Sequence, residues 1–246
     1  MPRGHGHLIS IVFGPDHYAM CDVSRAYAFI SLTEEAARNH EWTRYHFLEP
    51  LGWLLIDARH TAPVHASAIA WNGRGAILCG DSGSGKTTLA YACARQGWTF
   101  LSGDAVHLIR DQSGFEIRGR PAQIRFRESA QELFPELATY PALIRPNGKA
   151  DIEVSPYRLG VPAAYCAEAS QLVFLNRSIE PVAPRLARCS RTEALDRLTG
   201  LIAFGDPDVQ AAQRETIGHF LTLPLHDLHY SDTASAEIAL RGLMCQ

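Results

Sequence analysis

A chain of 246 residues, 46% apolar and 20% charged, buries about 72% of its unfolded surface if it folds as one body, which suffices for an autonomous core and excludes a disordered tail, a collagen-like chain or a coiled coil. Net charge is −3 with neutral histidine and the pI is near 6.4, a balance without the basic footprint of a nucleic-acid partner. The N-terminal apolar run LISIVF is shorter than a secretory core, and no segment approaches the roughly 18 apolar residues of a spanning helix, so the chain reads as cytoplasmic, with neither nucleic acid nor membrane as partner.

Residues 1–60 read as an N-terminal α+β elaboration. Apolar segments at Leu8–Phe13 and Ala26–Ile30 precede helical spacing through Leu48, Leu51, Leu54, Leu55 and Ala58, with Pro50 in that helix's first turn. Residues 61–246 read as one α/β unit. The apolar run Pro63–Trp71, the dipeptide Asn72-Gly73 and the run Ala76–Cys79 predict antiparallel strands joined by a tight hairpin. Leu89, Cys93 and Ala94 then recur with helical spacing, and Gly97 stands where a left-handed C-cap belongs. Further strands are expected at Trp98–Leu101, Val106–Ile109, Phe115–Ile117, Ile124–Phe126, Leu172–Leu175 and within PLHDLHY (224–230). Capping boxes at Ser129–Glu132 and Ser190–Glu193, the Asp206-Pro207 pair and a final helix over 233–243 complete the pattern.

The six cysteines, Cys21, Cys79, Cys93, Cys166, Cys189 and Cys245, show no CxxC spacing and read as reduced thiols serving as small buried hydrophobes. Nearly all positive charge is arginine, the only lysines being Lys86 and Lys149. A compact, rotatable ammonium is not replaced by a planar guanidinium in a tight site, so both lysines are informative.

Lys86 falls in the segment Gly80-Asp81-Ser82-Gly83-Ser84-Gly85-Lys86-Thr87, which satisfies the phosphate-binding spacing GxxxxGK[ST] between a predicted strand and a predicted helix, with Thr88 directly behind it. The glycines let successive N–H groups turn inward on phosphate oxygens, the helix N-terminus adds its dipole, Lys86 spans the terminal phosphates and Thr87 offers a hydroxyl to Mg²⁺. Asp104 ends the next predicted strand. An acid there holds Mg²⁺ through water or takes the proton of an attacking hydroxyl; a turn-capping aspartate is the alternative.

These residues resemble the catalytic domain of the HPr kinase/phosphorylase family, bacterial protein-serine kinases whose fold is shared with phosphoenolpyruvate carboxykinase. The resemblance rests on His65-Ala66-Ser67 in the first hairpin strand, GDSGSGKT from Gly80, and GDAV ending the strand after the loop's helix, and it is best over residues 63–127. It implies an α/β fold with a mixed sheet and P-loop behind a short N-terminal elaboration. It further implies ATP and Mg²⁺ as cofactors, Lys86 and Thr87 on phosphate and metal, Asp104 as acid/base for a serine hydroxyl, His65 in the site, and Glu116 of FEIRG beside the metal. The family's tandem acids are reduced here to Gly103-Asp104, and residues 1–60 are shorter than its N-terminal domain. Small stand-alone relatives of this kind include kinases of lasso-peptide precursors, which makes a peptide or small protein with an acceptor serine the favoured partner; self-association stays open.

Arg118, Arg120, Arg125 and Arg127 surround the Gly-Arg-Pro turn and either clamp an anion or coat a solvated strand. Lys149 is the second candidate for the transferred phosphoryl group, and His65 is alternatively a structural strand histidine. Two rival readings stand beside the kinase: a nucleotide-sensing regulator without catalysis, and a small-molecule kinase. The presence of Asp104 and Glu116 favours an enzyme.

Overall fold

The computed structural model describes residues 2–110, 113–144, 148, 150–199 and 206–245; Lys149 lies outside them. The N-terminal residues form four antiparallel strands in sequential order, β1 (Pro2–His5), β2 (Leu8–Phe13), β3 (His17–Asp22) and β4 (Tyr27–Ser31). Helices α1 (Glu34–Arg38) and α2 (His40–Thr43) follow, then a π-helical turn (Arg44–Leu48) running directly into α3 (Glu49–Arg59), with Pro50 in its first turn. Alternation in β2 and β3 buries Ile9, Ile11, Ala19 and Cys21 against Phe47, Leu51 and Ala58. This layer docks on the rest of the chain through α3: the Trp53 ring stacks on His107 at 4.0 Å, Asp57 Oδ1 lies 2.8 Å from His107 Nδ1, and the Arg120 guanidinium lies 4.8 Å from the Trp53 ring centre.

The remaining residues build a mixed sheet. Its strands in chain order begin with β5 (Thr61–Val64), β6 (Ala66–Trp71) and β7 (Arg74–Cys79), followed after helix α4 (Lys86–Arg95) by β8 (Thr99–Ser102), β9 (Val106–Ile109) and β10 (Glu116–Arg118). A small separate sheet comes next, β11 (Ile124–Arg127), β12 (Leu143–Ile144) and β13 (Ala150–Val154), ordered β11-β13-β12, with the single-turn helix α5 (Ala130–Leu133) between its first two strands. The chain then returns to the main sheet with β14 (Cys166–Arg177), β15 (Arg185–Arg188), helices α6 (Arg191–Thr199) and α7 (Pro207–Phe220), β16 (Leu225–Tyr230) and helix α8 (Thr233–Met244). The main order is β5-β9-β10-β14-β7-β6-β8, with β16 on β14 and β15 outside β16. β14 pairs in parallel with both β7 and β16, so three strands end on the same edge.

Both faces of this sheet are buried, which is why its strands read as continuous apolar runs rather than alternating ones. Ala76 and Leu78 face α4, α8 and the small sheet, whereas Ile77 and Cys79 face α6 and α7. The Asn72-Gly73 hairpin forms with both residues at positive φ, 50° and 81°. Gly97 caps α4 at φ 90°, with its N–H on the Ala94 carbonyl and the Trp98 N–H on the Cys93 carbonyl.

Three expectations are corrected. The run Pro63–Trp71 is not one strand: it breaks at His65, and its halves pair with β9 on one side and with β7 and β8 on the other. The Ser129 box does not form. Ser129 is itself in the α region (φ −58°, ψ −15°) and its side chain caps nothing, whereas at Ser190 the two bonds are reciprocal, Ser190 N–H to Glu193 Oε2 at 3.2 Å and Glu193 N–H to Ser190 Oγ at 3.2 Å. Of the cysteines, Cys21, Cys79 and Cys93 are buried but Cys166 and Cys245 are exposed. Among the described residues no helix is long and apolar enough to cross a membrane.

Candidate active site

The loop Gly80–Gly85 leaves the end of β7 on the edge where the parallel strands β7, β14 and β16 all terminate, the place where open α/β sheets gather ligands. Its path takes positive φ at Gly80, Gly83 and Gly85. At Gly80 (φ 152°) an added Cβ would lie 2.6 Å from Ser84 Oγ, and at Gly85 (φ 88°) 2.7 Å from the Tyr230 hydroxyl. That hydroxyl, from the end of β16, donates to the Ser84 carbonyl at 2.8 Å, and burial pushes its pKa up to about 12, so it stays a donor. Lys86, 7% exposed, closes the loop from inside: Nζ donates to the carbonyls of Gly80 at 2.8 Å and Asp81 at 2.9 Å. Burial lowers the Lys86 pKa from its ordinary value, opposed by the charges of Asp104, Cys79 and Asp81. The Thr87 hydroxyl donates to the Gly103 carbonyl at 2.6 Å, which leaves its lone pairs for another partner. Ser84 Oγ is buried without a hydrogen-bond partner.

A cavity of about 520 Å³ opens over this loop, lined on that side by Ser82, Gly83, Gly85, Lys86, Thr87 and Thr88. Opposite stand His65 and Asp104. They meet because the break at His65, between β5 and β6, lies beside the break at Asp104, between β9 and β8, to which those two strands respectively pair. Ser67 Oγ, donating to the Gly103 carbonyl at 2.7 Å, ties the two breaks together. His65 Nδ1 is 3.1 Å from Asp104 Oδ1. The His65 hydrogen bond, aided by the positive charge of His65, Lys86 and Arg125, holds the Asp104 carboxyl below its usual range against a partial opposing effect of burial.

The small sheet supplies the third wall with Arg125, Arg127 and Asp151, and Tyr45 and Arg177 complete it. The four arginines of the Gly-Arg-Pro region therefore separate: Arg125 and Arg127 enter the cavity, Arg118 pairs with Glu116 at 2.8 Å, and Arg120 with Glu49 at 3.3 Å. Glu116 does not come to the cavity; it sits on β10 opposite Glu168, in its ion pair with Arg118. Gly80, Asp81 and Ser84 support the loop rather than line the space. Tyr45, Asp151, Arg177 and Tyr230 escaped the sequence reading. Tyr230 ends a predicted strand and Arg177 lies two residues beyond another, but only the parallel pairing of β14 with β7 and with β16 brings those ends to the loop.

The residues fit a magnesium nucleotide. Gly80 and Gly85 leave no space for side chains behind the loop, and Lys86 and three arginines, Arg125, Arg127 and Arg177, face one space. Among the described residues no three His, Cys, Asp or Glu side chains cluster into a metal site. Thr87 and Asp104 are among the side-chain oxygens that line the cavity, beside those of Ser82, Thr88, Ser129 and Asp151.

No protein-family model matches the chain, and no curated protein matches it. Among solved structures the fold is similar to the HPr(Ser) kinase/phosphatase of Coxiella burnetii, at 12% sequence identity and a TM-score of 0.39, over 74% of this chain and 89% of that one.

Proposed function

We propose that the chain is an ATP- and Mg²⁺-dependent kinase that phosphorylates a serine hydroxyl on a peptide or small protein, with residues 61–246 carrying the transfer chemistry. The observation that carries this reading is that Lys86 and the His65–Asp104 pair face each other across one cavity. A phosphate cradle alone binds; a cradle opposite an ionised, hydrogen-bonded carboxylate also offers a proton acceptor.

When bound, Mg²⁺-ATP supplies the γ-phosphoryl group and Mg²⁺ neutralises charge developing on its oxygens. The loop N–H groups and Lys86 would hold the phosphates, Thr87 and Asp104 would provide oxygens to the metal, and Arg127 and Arg177 face the same space with charge for the transferring group. Asp104 accepts the serine hydroxyl proton as that oxygen forms its bond to phosphorus and the bond to the ADP oxygen breaks. His65 orients the carboxylate and keeps it ionised. Incubation of the full chain with labelled ATP, Mg²⁺ and serine-containing peptides tests the reading: acid-stable label on serine supports it, and tight ATP binding without labelling of any peptide or protein turns the reading toward a nucleotide sensor.

A further inference from the structure

A second, smaller cavity of about 120 Å³ lies beside the first, and Thr87, Asp104 and Arg125 line both. The carboxylate read as the base thus stands in the wall between them. The small cavity has less than a quarter of the first one's volume, too little for a nucleotide and suited to one small polar group. Its far side is not built by the main sheet. Arg44 and Glu49, at the two ends of the π-helical turn, supply it, and Arg120 reaches in from the strand region.

These groups are linked. Glu49 pairs with Arg44 through Oε1 and with Arg120 through Oε2, the latter at 3.3 Å, while Arg120 also covers the Trp53 ring. One carboxylate therefore fixes two guanidinium groups, each retaining N–H donors beyond those it spends on Glu49. Tyr45, on the same turn, faces the larger cavity under Arg125, whose guanidinium lies 5.8 Å from the ring centre. A π turn inserts a residue into a helix and re-aims neighbouring side chains, and such turns recur at functional sites. Here it sends Tyr45 to one cavity and Arg44 to the other.

Resting on the kinase reading, we infer that the small cavity receives the acceptor: the serine hydroxyl enters beside Asp104, its backbone carbonyls take the donors of Arg44 and Arg120, and Glu49 is the positioning residue that holds those donors in place. The N-terminal layer is on this account half of the acceptor site, although it carries no part of the phosphate cradle.

The experiment measures transfer from ATP to a library of serine peptides and, in parallel, ATP affinity, for the wild type, Glu49→Gln and Ala122→Trp. Ala122 is exposed at the rim of the small cavity, so a bulky side chain there obstructs it without entering a core. The inference expects Glu49→Gln to raise the KM for the acceptor at least tenfold with kcat and ATP affinity within about twofold of wild type. It expects Ala122→Trp to abolish peptide labelling with ATP affinity unchanged. Unaltered acceptor KM in both variants, with the wild type active, overturns the inference and leaves the kinase reading standing. A wild type that binds ATP but labels no peptide removes the kinase reading first and the inference with it, and silence of the wild type itself distinguishes the two failures.

Discussion

His65 Nδ1 lies 3.1 Å from Asp104 Oδ1, joining the bend between β5 and β6 to the turn between β8 and β9. The pair fixes which protonation state the candidate base offers. Because Asp104 is depressed chiefly by its hydrogen bond from His65, it is a carboxylate at every pH above its ordinary 3.8 and somewhat below it. The stabilisation this pairing lends the fold is correspondingly present above about pH 3.8 and lost as pH falls through the lower folded value. Replacing His65 with Ala raises the Asp104 pKa back toward 3.8. Carboxyl-carbon NMR titration of both proteins measures it, and an unmoved or lowered value contradicts the assignment.

Lys86 ties the loop together and, on the proposed reading, also meets phosphate. Lys86→Met removes the donor to the Gly80 and Asp81 carbonyls, which costs about 1–3 kcal/mol where those groups go unpaired and lowers Tm by roughly 2–10 °C. It also removes a charge-assisted bond to phosphate, weakening ATP binding roughly 10- to 150-fold. Lys86→Arg restores neither, since the planar guanidinium does not fit a site 7% exposed. Thermal unfolding and calorimetric titration of both variants check this.

Gly85 and Tyr230 are coupled through space. Gly85→Ala costs about 1–3 kcal/mol from the left-handed backbone alone, and its methyl meets the Tyr230 hydroxyl. In a Tyr230→Phe background that collision is absent, so the Ala substitution costs less there by about 0.5–2 kcal/mol. A double-mutant cycle in urea measures the difference. Additivity within 0.3 kcal/mol or so means that the loop yields without pressing on Tyr230.

The same spacing, Ser-x-x-Glu, opens two helices in the sequence, and only one is a cap. Ser190→Ala is expected to destabilise by about 1 kcal/mol and Ser129→Ala by less than about 0.5 kcal/mol, as measured by chemical denaturation. The distinction is illegible in the sequence because it depends on backbone: α5 is a single turn running into a 3-10 turn, and Ser129 is already helical, so its hydroxyl is not aimed at an exposed N–H. The same limit runs through the candidate site. The phosphate-loop segment, its helix and Asp104 are legible because they are contiguous or carried by local periodicity and turn chemistry. Arg125 and Arg127 are legible only within an arginine cluster that also holds Arg118 and Arg120, and Arg177, Asp151 and Tyr45 are not legible, because all five reach the cavity from a second sheet, a parallel neighbour and the N-terminal layer, whose placement no local pattern encodes. Glu116 reads as metal-proximal by motif, yet on β10 its nearest cation is Arg118, two residues along the same strand.

The central claim is that Asp104 takes the proton of an acceptor hydroxyl during phosphoryl transfer. Asp104→Asn keeps the shape and one oxygen toward the metal but removes the proton acceptor. Calorimetric ATP affinity and radiolabelled transfer to serine peptides, measured on the wild type and this variant, test the claim together. The account predicts ATP affinity within about threefold of wild type and kcat lower by about 10²- to 10⁴-fold, the loss appearing in turnover rather than in KM for ATP. Transfer by the Asn variant at the wild-type rate contradicts it, and Asp104 is then a structural partner of His65 alone.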